Sequence, residues 1–198
     1  ERTFPGRRSD LKRIILREAL ACFNEAGIEA TNIETIRARC DTSVGAIYHH
    51  FGNKEGLVAA LFFAALEDQA ALRDHYLQAA DTAHAGVVGL VYSYVEWVTA
   101  QPDWARFVFQ SRFAVSNGPF KDELIARNKQ RNQQLKEWMG GEGRKEHFSH
   151  LPAELIPSLI IGAAESYSRA WLSAKVKKSP FEYRELLAEA AWKSISLG

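Results

Sequence analysis

The spacing of apolar residues constrains this chain more than any other feature. They recur every three or four positions nearly throughout, and no segment alternates apolar with polar between turn residues as a strand would. The pattern predicts an all-α protein of about nine helices. A first helix sets Leu11, Ile15, Ala19, Cys22, Phe23 and Ala26 on one face and stops at Gly27. Thr31, with Glu34 three residues on, reads as a capping box that opens a short helix to about residue 39. A second short helix covers 43–50, and Asn53 caps a long one that fades near 81. Apolar spacing over 87–98 gives a helix interrupted at Gln101-Pro102, and the next covers 103–115 before Ser116-Asn117-Gly118-Pro119. Residues 121–139 form a mostly polar helix whose apolar points are Leu124, Leu135 and Trp138, and 140–151 reads as a loop. The last two helices span 152–175 and 180–196, each with proline near its start.

At 198 residues the chain is long enough for an apolar core without a disulfide or metal staple. Its two cysteines, Cys22 and Cys40, are too few for a disulfide framework and read as small apolar core residues in a reducing compartment. No run approaches the roughly 18 apolar residues of a membrane helix, and the opening residues lack the apolar segment of a signal peptide. A soluble, cytoplasmic protein with no membrane partner is expected. Twenty-five Lys and Arg against 24 Asp and Glu exclude a globally basic histone-like or polybasic membrane protein. The charge is unevenly spread, however. Residues 1–20 carry six basic side chains against three acidic ones, whereas 57–198 carry sixteen of each. There is no glycine-rich phosphate loop, metal-ligand motif or nucleophile motif, so neither an enzyme nor a cofactor is expected. His147 and His150 sit at i, i+3 with no cysteine nearby and read as a solvated pair, not a metal site. The polar run over 127–134 has no interleaved aromatic for base stacking and reads as a solvated helix face.

The informative block is 31–57, TNIETIRARCDTSVGAIYHHFGNKEGL. Two short helices joined by four residues (about 39–42) have the dimensions of a helix-turn-helix, whose second helix enters the DNA major groove. Ile33, Ile36, Ile47 and Phe51 are spaced to hold the pair against the first helix, which leaves Thr42, Ser43, Val44, Gly45, Ala46, Tyr48 and His49 on or near the outer face.

On these residues the sequence resembles the tetracycline-repressor (TetR) family of bacterial transcription regulators. Thr31, Ile33, Ile36, Ser43, Gly45, Ile47, Tyr48, His49, Phe51, Lys54, Glu55 and Leu57 carry the resemblance, with a first helix containing Ile14-Ile15-Leu16, Ala19, Phe23 and Gly27. It covers roughly 10–60; beyond that only helix count and length agree. The resemblance implies that Thr31 and Thr35 reach phosphates, that Ser43, Val44, Gly45, Ala46 and His49 face bases, and that Tyr48 and Lys54 clamp the DNA backbone, with Thr42 a further DNA-binding candidate. Lys54 also sits beside the Asn53 cap, where a helix N-terminus favours a phosphate oxygen. Two departures stand out. Asp41 occupies a turn position where the family usually has glycine, and Val44 and Ala46 stand where many members carry polar groups. Val44 and Ala46 are therefore expected to pack on thymine methyl groups, with DNA shape supplying the remaining specificity.

The division expected is a DNA-binding domain over 1–52, with its helix-turn-helix at about 32–51, and an effector-binding and dimerisation domain over 53–198. The second part is rich in aromatics, some of which must fill a core. The resemblance implies an effector pocket there, and such pockets are apolar with a few orienting polar groups. Tyr94, Trp97, Trp104, Phe107 and Phe113, with Trp138, Tyr167 and Trp171 further on, are the candidate lining, and Gln110 a candidate polar member. The helix from Pro152 is apolar or small over more of its circumference than one buried face requires. The resemblance implies that Ile156, Ile160, Ala163 and Ala164, with Leu187 and Ala191 of the last helix, pair with their copies in a two-fold homodimer. The functional expectation is a homodimeric regulator, a repressor, that binds a palindromic operator and is released by a small, largely apolar effector. The alternatives are a helical enzyme and a ligand-binding interaction protein without DNA binding.

Overall fold

Eleven α-helices and one 3-10 turn, with no strand, form the regular structure of residues 7–196, which are those the computed structural model describes. They are α1 (Arg7–Ala26), α2 (Ile33–Arg39), α3 (Val44–Phe51), α4 (Lys54–Gln78), α5 (Ala83–Ala100) and α6 (Pro102–Asn117). There follow α7 (Lys121–Arg131), α8 (Gln133–Met139), α9 (Lys145–Ser149), α10 (Ile156–Leu172), the 3-10 turn Pro180–Tyr183 and α11 (Arg184–Ile195). Two helices exceed the periodicity reading. The polar segment breaks at Asn132, whose backbone sits at φ −91°, ψ 5°, and the glycine-rich segment winds a short α9 around the buried Phe148. Arg2 and the side chains of Arg7 and Arg8, part of the basic cluster in the first twenty residues, lie outside the described residues.

Side-chain caps fix the starts of the early helices. Ser43 Oγ accepts from Ala46 N at 3.1 Å to open α3, and Asn53 Oδ1 accepts from Gly56 N at 2.7 Å in the first turn of α4. Gly56 is obligatory there for space, because a Cβ would stand 2.0 Å from Phe51 O. Gly52 ends α3 at φ 77°, a conformation that other residues adopt only with strain. The cap of α2 corrects the capping box expected at Thr31. Asn32 takes that role, its Oδ1 accepting from Thr35 N at 2.8 Å. Thr31 is buried instead, and its Oγ1 donates to Gly27 O at 2.8 Å and Cys22 O at 3.2 Å. It satisfies carbonyls left over at the end of α1, a service that a cap pointing outward could not perform.

Packing divides the chain into two compact units, one comprising residues up to Ala65 with Asp103–Ala126, the other Leu66–Pro102 with Arg127 onward. This differs from the functional division expected after Gly52. In the first unit Ile15, Ala19, Cys22 and Phe23 of α1 are buried, as are Ile33, Ile36, Ile47 and Phe51 of α2 and α3 and Leu57 and Leu61 of α4. Each large aliphatic or aromatic side chain so buried contributes roughly 1.5–3 kcal/mol relative to exposure. Burial also raises the pKa of both cysteine thiols, which are free. Helix α6 belongs to this unit: Phe107 stacks on Phe23 with centroids 5.7 Å apart, and Asn24 Nδ2 donates to Asp103 O at 3.0 Å. In the second unit α5 is the central helix, with Val87, Val91, Val95 and Val98 buried and α10, α11 and the 3-10 turn packed against it. Trp97 Nε1 donates to Asp68 Oδ2 at 2.8 Å, and Tyr76 OH donates to Glu96 Oε2 at 2.5 Å.

Candidate functional site

The α2–α3 pair has a short, hydrogen-bonded connection. Cys40 N donates to Arg37 O at 2.9 Å to close α2, and Thr42 N donates to Cys40 O at 2.8 Å. Asp41 is not in the left-handed region; among described non-glycine residues only Ala174 is. The missing glycine at this turn therefore carries no backbone strain. Glu25 and Arg39 join the ends of α1 and α2 through two parallel contacts, one of them 2.9 Å, and the guanidinium holds the Glu25 carboxyl below its ordinary pKa.

Ile47 and Phe51, one turn apart, face the core, which turns the opposite side of α3 outward. Gly45, Tyr48 and His49 are exposed there, Tyr48 to 47%, and Ser43 at the cap is exposed too. Thr42, Val44 and Ala46 are half-buried. On α2, Thr35 is exposed, with its hydroxyl donating to Asn32 Oδ1 at 3.0 Å. Two of the residues given DNA-contact roles are otherwise engaged. Thr31 is only 2% exposed and its hydroxyl is committed to α1. Lys54 Nζ donates to Ile28 O, Thr31 O and Glu29 O at 2.9, 3.0 and 3.3 Å, and so closes the loop between α1 and α2. Nothing in the sequence signals that role, since carbonyl acceptors carry no residue identity.

The aromatic residues expected to line an effector pocket are divided between the two units. In the first, Phe107 is fully buried against Phe23, which makes it core and not cavity wall; Trp104 is half-buried, Gln110 is exposed and Phe113 is 79% exposed. In the second, Tyr94 and Trp97 are buried on α5. The Trp138 ring covers Gly86 so closely that a Cβ there would lie 1.9 Å from it. Tyr167 OH donates to Lys178 O at 3.1 Å and its ring meets Tyr183 edge-on, while Trp171 is half-buried on α10. A groove of about 600 Å³ in the second unit is lined by none of these rings. Glu67, Ala70, Ala71 and Asp74 of α4 form one wall, and Arg127, Gln130, Arg131 and Gln134 form the other. Sequence reasoning missed Arg131 by taking its run as a solvated face. The available signal was spacing: Arg131 falls seven residues after Leu124 and four before Leu135, on the stripe that those apolar residues define.

Of the residues expected at a dimer interface, Ile160, Ala164 and Ala191 are buried within the chain, on the helices that pack against α5. Ile156 and Leu187 are half-buried and Ala163 is exposed. Leu155, Phe181 and Leu186 supply the large exposed apolar surface around α10 and α11, with Leu186 70% exposed. No described helix is long and apolar enough to cross a membrane. Among the described residues no group of three or more His, Cys, Asp or Glu is placed to hold a metal ion.

An all-helical architecture with α2 and α3 locked on α1, and an outward face on α3, defines a helix-turn-helix protein. Residues 15–61 match the model of the tetR family of bacterial regulatory proteins, so the segment that carries the helix-turn-helix is similar to that family. Over 60 residues it is 42% identical to the HTH-type transcriptional repressor AcnR of Corynebacterium glutamicum, a match covering 30% of each chain. The chain thus spans less than a third of that relative's length in recognisable sequence. The fold extends further. A TetR family transcription regulator from Marinobacter aquaeolei superposes with a TM-score of 0.78 at 18% identity, covering 95% of this chain and 97% of the other. The regulator FadR from Bacillus subtilis, in complex with stearoyl-CoA, gives 0.75 at 18% identity, covering 93% and 100%.

Proposed function

We propose that this chain regulates transcription as a homodimer, acting as a repressor that binds a palindromic operator through α3 and is released by a small effector. The observation that carries the reading is the two-sided α3, with Ile47 and Phe51 fixed in the core while Gly45, Tyr48 and His49 face solvent beside the exposed Ser43 cap. A short rigid helix presented in this way suits insertion into the major groove. Val44 and Ala46 offer no side-chain hydrogen bond, so they meet thymine methyl groups while Tyr48 and Thr35 reach the DNA backbone. The segment up to Gly52 serves DNA, and residues 53–198 serve effector and partner. In the dimer a second copy covers the exposed apolar residues around α10 and α11, Leu155 and Leu186 among them. The complex of the similarly folded FadR with stearoyl-CoA supports ligand control for this architecture. An effector acts by binding the DNA-incompetent state more tightly, and DNA then weakens effector binding by the same factor.

Selection of bound sequences from random duplex DNA, repeated at two salt concentrations, tests the proposal. A palindromic consensus containing thymine in each half-site, with affinity falling steeply as salt rises, is the expected result. Absence of an enriched sequence, or an enriched site without two-fold symmetry, refutes it.

A further inference from the structure

Two arginines, Arg127 and Arg131, line the groove in the second unit and a third, Arg73, bonds to residues of its walls, and their situations are unequal. Arg73 donates to Asp74 Oδ1 at 2.8 Å, Asn132 Oδ1 at 2.9 Å and Arg131 O at 2.7 Å, so its guanidinium is committed to the break between α7 and α8. Arg127 pairs with Glu67 at 2.5 Å. Arg131, half-buried, has no carboxylate partner among the described residues. Its Nη2 donates to the neutral amide oxygen of Asn128, and its Nη1 is shielded from water with no hydrogen-bond partner. A guanidinium N–H left in that state is costly, and a charge-assisted contact to an anion relieves the cost. Burial first, and then the neighbouring Arg73 charge, pull the Arg131 pKa down, as expected of a cation lacking its counter-charge.

We propose that this groove binds a small amphipathic organic anion, with a carboxylate or phosphate on the Arg131 guanidinium and a short apolar portion along Ala70 and Ala71. The groove volume of about 600 Å³ lies in the range of small-molecule sites. A modest swing of the Arg131 side chain turns its planar donor fork toward an anion in the groove, and that fork matches two oxygens at once. Gln130 and Gln134 supply amide groups that orient the ligand. Glu67 and Asp74 on the opposite wall disfavour a second negative group further along it. The site is independent of the DNA-binding reading, and it is tested without DNA.

The full chain is titrated calorimetrically with hexanoate, hexyl phosphate and hexanamide. Saturable binding of an anion at one site per chain, at least about tenfold tighter than hexanamide, is expected from a charge-assisted contact. Whichever anion binds more tightly identifies the head group, and equal affinities place the recognition in the charge alone. Arg131→Gln is expected to weaken anion binding by about tenfold or more. Ala71→Glu, a surface change on α4 that leaves the guanidinium in place, is expected to abolish it, which keeps the test decisive if Arg131→Gln fails to fold. No saturable anion binding, equal affinity for hexanamide, or undiminished binding in Ala71→Glu overturns the proposal.

Discussion

Replacing Lys54 with methionine separates two roles that the same side chain could play. Methionine keeps most of the apolar stem and removes the ammonium, which donates to Ile28 O, Thr31 O and Glu29 O. Hydrogen bonds from a charged donor are worth about 1.5–3 kcal/mol each where water cannot replace them. Here Lys54 is only half-buried and the bond to Glu29 O is exposed, so water restores much of the loss. The three bonds together are therefore worth about 1–2 kcal/mol. For a chain of this length that lowers the thermal midpoint by roughly 2–8 °C, which scanning calorimetry resolves. The second measurement is the slope of log affinity for the selected operator against log salt. A lysine that neutralises a phosphate takes about 0.9 from that slope when removed, hence about 1.8 for the two copies in a dimer; a lysine that closes the α1–α2 loop leaves it unchanged. Loss of stability with an unaltered slope is the expected outcome. An unchanged midpoint with a slope shallower by about two would show that the loop contacts carry no energy and that Lys54 serves DNA alone.

Phe107→Ala, which opens a cavity beside Phe23, is expected to cost about 3–5 kcal/mol, whereas Phe113→Ala at an exposed site stays within about 0.5 kcal/mol in denaturant titrations. Gly86→Ala drives a methyl group into the Trp138 ring and is expected to destabilise by about 1–3 kcal/mol, with an altered tryptophan emission spectrum as its local report. Tyr76 supplies a pH dependence: its hydrogen bond to Glu96 and its partial burial push the phenol up to about 12. Because the folded pKa exceeds the unfolded value of about 10, the stabilisation is whole below pH 10 and is lost as pH rises toward 12. Phenolate absorbance should show a late-titrating component that Tyr76→Phe removes; a titration unaffected by that substitution contradicts the assignment.

Local regularities made much of the fold legible. The 3.6-residue repeat identifies Ile33, Ile36, Ile47 and Phe51 as the residues that lock the helix-turn-helix, and all four are buried. Asn53 is a recognisable cap because a short polar side chain has few other uses at such a position. Thr31 is equally suited to capping by type and is one residue out of register, because the end of α1 claims its hydroxyl. The aromatic residues were harder to place. A ring at helical spacing looks the same in sequence whether it stacks on Phe23, covers Gly86 or faces solvent like Phe113. The residues expected at a dimer interface carry the same ambiguity, since a helix apolar on two sides does not reveal which side its own chain covers.

The sequence by itself determined the all-helical class and the helix-turn-helix, with Tyr48 and His49 placed outside and Ile47 inside. Those assignments rest on interactions within a few residues, which periodicity and residue type encode directly. Only the tertiary structure decided that α6 packs with the N-terminal helices, that Lys54 closes a loop, and that Arg131 faces a groove without a counter-charge. Each of these depends on partners dozens of residues apart along the chain. Backbone carbonyls and vacant space, which leave no trace in side-chain pattern, then decide what a residue does.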